Sequence, residues 1–116
     1  IVMWVPYILA HMGNVGLIAS LSYKGDGTPM PPWAERAKRA HYNVIENLIP
    51  FSALVFVAHL ANISNEVTAT AATAYLFFRI AHYLTYVIAI PTGRTIAFSG
   101  SWLAQICIFY QILIAI

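Results

Sequence analysis

The apolar positions of this chain run in four long blocks separated by short polar stretches. Ile1 to Ser22 carries no charge, and Tyr23 to Trp33 (YKGDGTPMPPW) is dense in Gly and Pro, the composition of a loop. From about Ala34 the sequence is amphipathic for three turns (AERAKRAHYN) and then apolar to Ala61, with Pro50 in its middle. Residues 62 to 66 form a short turn, and a third block ends at Pro91-Thr92-Gly93. The last block, from about Thr95, is uncharged. Each block approaches the ~20 residues needed to cross ~30 Å of hydrocarbon. The pattern therefore predicts a single all-α domain over residues 1–116, with helices at about 1–22, 34–61, 67–90 and 95–116, arranged as a transmembrane four-helix bundle. The first block lacks the basic segment of a signal peptide and reads as a helix of the mature protein. Helix neighbours in a membrane tolerate the backbone hydrogen bond that Pro50 removes.

Composition narrows the environment. The 116 residues are 60% hydrophobic and 9% charged, where a soluble domain carries roughly 25% charged residues. A mean hydropathy of +0.72 leaves too little polar surface to coat a soluble globule. The net charge of +2, from six scattered basic residues, makes no nucleic-acid footprint. Cys107, the single cysteine, lies in an apolar run and reads as a packing residue. The chain begins at Ile1 and ends inside an apolar run, as expected of trimmed ends. Lys24, Arg36, Lys38 and Arg39 flank the first connection and Arg94 lies in the third, while the second has no basic residue. The positive-inside rule then predicts that the first and third connections are cytoplasmic and both termini outside, with Trp33, Tyr23 and Trp4 as interfacial anchors.

Against this apolar background two polar stripes stand out. Arg36, Arg39, Asn43 and Glu46 fall within an arc of about 80° on the second helix. Arg79, His82 and Tyr86 fall within about 60° on the third, with Tyr75 one turn further along. Counted from the cytoplasmic ends of antiparallel helices, Glu46 and Arg79 both lie about 18 Å deep. Either charge buried alone would cost at least ~3 kcal/mol, so a Glu46–Arg79 ion pair is expected. The arginines outnumber Glu46, and a surplus of positive charge in this setting calls for an anionic ligand. His11, Asn14, His41 and His59 stand singly or off the stripes and read as helix-contact or interfacial residues. No spacing resembles a metal site, a phosphate loop or a nucleophile elbow, and Ser99-Gly100-Ser101 lacks the last motif's flanks.

The run from Glu35 to Phe51, with Arg39-Ala40-His41, Asn43, Glu46-Asn47 and Pro50-Phe51, closely resembles the signature of the MAPEG family, membrane-associated proteins of eicosanoid and glutathione metabolism. Arg79-Ile80-Ala81-His82, Tyr86 and Arg94-Thr95 resemble that family's second block, in the same order. The chain looks like a short, bacterial-type member. The resemblance implies a homotrimer that binds glutathione between subunits in a cavity open to the cytoplasm, and, for a bacterial source, the inner membrane. It implies that Arg39, Asn43, Glu46, Arg79, His82, Tyr86 and Thr95 hold glutathione. It further implies that Arg94 stabilises the glutathione thiolate, with Tyr86 as the competing candidate. Tyr42 stands where prostaglandin E synthase-like members have another arginine, which points away from that activity.

Three functions are consistent with this reading. The first is a glutathione-dependent transferase or peroxidase acting on lipophilic electrophiles dissolved in the membrane lipid. The second is a non-catalytic ligand-binding or scaffold member of the same family. The third, a proton-coupled transporter with Glu46, His82 and Arg79 as a relay, accounts for the buried charges but not for the arginine surplus.

Overall fold

The computed structural model describes residues 2–21 and 29–116, so Lys24 and most of the first loop lie outside the described residues. All described secondary structure is helical. A 3-10 turn at Val2–Trp4 precedes α1 (Val5–Val15) and the short α2 (Leu17–Ser20), followed by α3 (Pro32–Leu60), α4 (Glu66–Val87) and α5 (Pro91–Ala115). α3 and α5 are long and apolar enough to cross a membrane. The chain spans 54 × 30 × 17 Å. α4 and α5 form the most extensive helix pair, α3 packs on both, and α1 packs on α3.

The first apolar block differs from the single helix expected over residues 1–22. Gly16 adopts φ 87°, ψ 159°, conformations open to glycine at little steric cost, and this separates α1 from α2. Tyr7 fastens α1 to α3, with its hydroxyl 2.9 Å from His41 Nδ1 and its ring among Ala34 and Ala37. Tyr83 on α4 donates to the Met3 carbonyl at 3.3 Å. His41, read from sequence as off the stripe, thus serves this helix contact.

The other boundaries follow from local chemistry. Pro31 and Pro32 open α3, where a proline's missing N–H has no intrahelical partner to lose. At its far end Asn62 takes φ 58°, and Ile63 N donates to Ala58 O at 2.8 Å, closing the helix as a Schellman turn. Asn65 then caps α4 reciprocally with Thr68 and donates from Nδ2 to Gln111 Oε1 of α5 at 3.0 Å. α4 stops at Val87, short of the Ile90 expected from hydropathy, because Ala89 (φ 61°) repeats the same turn, with Ile90 N donating to Thr85 O at 2.8 Å. Pro91 starts α5 at once. The close return also needs Gly93, where an added Cβ would lie 3.0 Å from Thr85 Cγ2.

Two apolar clusters bracket a polar middle. One joins Ala58, Ala71, Ile108 and Ile112 with Phe51, Leu54 and Cys107 at the far end of α3, α4 and α5; Cys107 there is the half-buried packing residue expected. The other, around Tyr7, Ala34 and Ala37, lies at the opposite end.

Ala89 holds a left-handed conformation that costs a non-glycine residue about 1–2 kcal/mol. Ala89→Gly is therefore expected to stabilise the protein by about 1 kcal/mol, after the extra backbone entropy glycine loses. Reversible unfolding in mixed detergent micelles measures it; a destabilised variant would contradict the turn geometry.

Candidate functional site

The polar middle is built from α4. Its Tyr75, Arg79 and His82, spaced to share one face, all point inward and are 4%, 5% and 2% exposed. Arg79 Nη2 donates to Asn43 Oδ1 of α3 at 2.6 Å, and Nη1 reaches Ser101 Oγ of α5 at 3.4 Å. Ser101 in turn donates to the Phe98 carbonyl at 2.8 Å. One guanidinium thus ties three helices together. Tyr75 lies flat on Phe51, ring centroids 3.7 Å apart. His82 meets the edge of Tyr86 and packs on Phe98. Tyr75 Oη, Arg79 Nε and His82 Nδ1 are buried without a partner among the described residues.

The expected Glu46–Arg79 ion pair is not formed. Glu46 is exposed, and the partner of Arg79 is Asn43, one turn nearer the mouth of the site. The reason is the side of α3 that faces inward: Asn43 is half-buried and bonds Arg79, whereas Glu46, about 60° round the helix from it, is exposed. The proton relay drawn through Glu46, His82 and Arg79 loses its first contact in the same way.

At the turn between α4 and α5 a second cluster surrounds a cavity of about 260 Å³, lined by Arg36, Tyr86 and Arg94 with Thr85, Ala89, Ile90 and Pro91. Arg36 Nε donates to the Val87 carbonyl at 2.9 Å, satisfying an orphan acceptor at the end of α4. Arg94 stacks its guanidinium over Tyr86, 5.0 Å from the ring centroid. Thr95 is turned away: its hydroxyl donates to Pro91 O at 3.0 Å.

The third part is the outer face of α3. Arg39 and Glu46 are exposed and Asn43 between them is half-buried. Arg39 and Glu46 are seven residues apart, about 10 Å along the axis. Asn47 Nδ2 donates to the Asn43 backbone carbonyl at 2.9 Å, with a longer 3.4 Å contact to Asn43 Oδ1. Arg36 begins this face and also closes the cavity, so the two regions are continuous. Among the described residues no side-chain hydrogen bond or ion pair links Arg94 to Arg39, Asn43 or Glu46.

Of the residues singled out from sequence, the structure brings Tyr86 and Arg94 together at the cavity, sets Arg39, Asn43 and Glu46 along one face, and places Arg79 and His82 in the interior behind them. Two contributors were missed. Ser101 was weighed only as a nucleophile, though Ala97, Ser101, Ala104 and Ile108 follow the i, i+4, i+7, i+11 spacing of a buried helix face, and all four are buried. Arg36 was counted in the stripe without a role; its pairing with a helix end emerges only from the turn geometry.

These features define a helical, membrane-associated protein with a basic, polar site opening beside the start of a membrane-length helix. A family model described as MAPEG matches residues 1–114, nearly the whole chain, and the chain belongs to the MAPEG family, a family of glutathione or eicosanoid metabolism. No curated protein and no solved structure matches it.

Because Asn43 rather than Glu46 satisfies the buried guanidinium, Asn43→Ala should strand Arg79 and destabilise the ligand-free protein by ~3 kcal/mol. That is several times the expected effect of Glu46→Gln. Thermal unfolding in detergent compares the two directly, and a larger loss from Glu46→Gln would restore the ion pair.

Proposed function

We propose that the protein is a glutathione-dependent transferase or peroxidase acting on lipophilic electrophiles, working as a homotrimer of multi-pass subunits. The observation that carries this reading is the charge left exposed on α3. Arg39 and Glu46 lie on the outer face of a helix long and apolar enough to cross a membrane, and charges at such positions cannot face hydrocarbon cheaply. A second copy packed against this face, with a polar ligand held between the copies, accounts for them. The 17 Å thickness of the chain is in keeping with a subunit that completes its polar core by association.

Glutathione fits the donors present. It carries two carboxylates, an ammonium, two amides and a thiol. Arg36, Arg39 and Arg94 offer cations for the carboxylates and the thiolate, Glu46 offers an anion for the ammonium, and Asn43 offers an amide. A thiol of pKa near ~8.5 is mostly protonated at neutral pH, and an adjacent guanidinium in a poorly hydrated site favours the thiolate. The thiolate sulfur attacks the electrophilic carbon, a C–S bond forms, and the leaving group departs with its electron pair; the thiol's proton goes to solvent. In the peroxidase variant the sulfur attacks the outer hydroperoxide oxygen, the O–O bond breaks and the alkoxide leaves as the alcohol after taking a proton, and a second glutathione thiol resolves the sulfenic acid to a disulfide and water. The membrane supplies the electrophile by partition. In this reading the site opens to the cytoplasm, both termini lie outside, and a bacterial source would place the protein in the inner membrane.

The non-catalytic binding or scaffold reading is favoured by one contact. Arg94 and Tyr86, the two groups able to activate a thiol, engage each other across 5.0 Å, and a site that keeps them so would bind without activating.

Kinetics and spectroscopy separate these. Arg39→Ala should chiefly raise KM for glutathione with a smaller change in kcat, because Arg39 acts in ground-state binding. Arg94→Ala should raise the pKa of the bound thiol, so kcat falls at neutral pH and partly recovers as pH rises through that pKa. Tyr86→Phe should move it less, a neutral hydrogen bond being worth less than a guanidinium contact. Thiolate ultraviolet absorbance, titrated in each variant, reads the pKa. Binding with no shift in any variant would establish the non-catalytic reading.

A further inference from the structure

Asn43 bonds the buried guanidinium of Arg79 and lies between Arg39 and Glu46 on α3. A carboxamide can turn either end outward, since its oxygen and nitrogen ends have nearly the same shape. Here the choice is made from behind. The atom 2.6 Å from Arg79 Nη2 has to be an acceptor, because a guanidinium only donates, so it is Oδ1. Asn47 Nδ2 approaches the same oxygen at 3.4 Å and donates to the backbone carbonyl of Asn43 at 2.9 Å. Both neighbours therefore present hydrogens to the inner side of residue 43. A flipped amide would turn its own N–H groups against the hydrogens of Arg79, a conflict between like donors beside a side chain that is 5% exposed. Asn43 Nδ2 is left with no acceptor among the described residues, and Asn43 itself stands between the exposed Arg39 and Glu46 on α3.

We propose that Arg79 is a positioning residue: it locks the Asn43 amide with its oxygen inward, so that Nδ2 offers a fixed N–H donor to a carbonyl or carboxylate of the ligand. Arg79 does not itself reach that ligand. Its charge acts through the amide, because a hydrogen bond received at Oδ1 draws electron density from nitrogen and strengthens the outward donor. This commits the site to an acceptor group at that point of the ligand, and a ligand lacking one leaves a half-buried N–H unpaired, the arrangement by which polar sites discriminate most strongly. The inference rests on the reading of this face as a glutathione site.

The lock and the ligand reading can be tested separately. In protein labelled with ¹⁵N-asparagine, the side-chain Nδ2 resonance missing from Asn43→Asp identifies Asn43, and Arg79→Gln should shift it with no ligand present. An Asn43 resonance unchanged in Arg79→Gln overturns the lock, whatever the protein binds. For the ligand, calorimetry with glutathione is run on the wild type, Asn43→Asp and Ser101→Ala. Asn43→Asp keeps, and strengthens, the bond to Arg79 but has no outward donor. It should melt no lower than the wild type yet bind glutathione at least tenfold more weakly, and Arg79→Gln should weaken binding little further in that background. Ser101→Ala removes the α5 contact of Arg79 and leaves Asn43 bonded, so it should lower the melting temperature with affinity unchanged. Asn43→Asp that binds as tightly as the wild type, or Ser101→Ala that loses affinity in step with stability, reduces Arg79 to a helix clamp and overturns the proposal. A wild type that binds no glutathione rejects the ligand reading, and the shift of the Asn43 resonance still decides the lock.

Discussion

A guanidinium in an apolar interior is the constraint around which this chain is arranged. Arg79 is 5% exposed, with no carboxylate in contact among the described residues, and the whole stabilisation of its charge comes from neutral dipoles: the Asn43 amide on α3 and the Ser101 hydroxyl on α5. Removing such a group from water costs several kcal/mol, recovered only when geometry and hydrogen bonds are good. That requirement ties three helices at one level and fixes their register, which apolar contacts alone, being non-directional, would leave free to slide. The apolar clusters at the two ends close around it.

The outward face follows from the inward one. Arg79 bonds Asn43, and Glu46 stands exposed with Arg39 on α3. Arg36, instead of extending that row passively, bonds the end of α4 and joins the row to the cavity beneath Arg94 and Tyr86. A chain that spends neutral groups on its buried charge has its exposed carboxylate and arginines available for a ligand that carries charges of both signs.

Much of this was legible in the residues themselves. Block lengths located every long helix to within a few positions, and 3.6-residue spacing placed Arg39, Asn43 and Glu46 on one face and Arg79, His82 and Tyr86 on another. What failed in the helix boundaries depended on single backbone conformations. Gly16 breaks a run that hydropathy reads as continuous, since hydropathy does not see φ. Ala89, an ordinary helix former, holds a left-handed turn that no propensity foretells, and α4 ends three residues early there. Charge complementarity made the ion pair the natural expectation, and the side of α3 turned inward, which carries Asn43 and not Glu46, overruled it. Burial of His82 was equally hidden, because the same spacing serves a ligand-facing and an interior stripe.

On the proposed reading the ligand sits on the exposed row of α3, continuous with the cavity at the α4–α5 turn. Photolabelling with azidophenacyl-glutathione, followed by mass spectrometric mapping, tests it most directly. The account predicts adducts in the peptides that contain residues 36–47 and 85–95, both suppressed by excess glutathione. Competed adducts confined to an apolar groove between α4 and α5, lined by Phe78, Leu103 and Cys107, with residues 36–47 unlabelled, would overturn it.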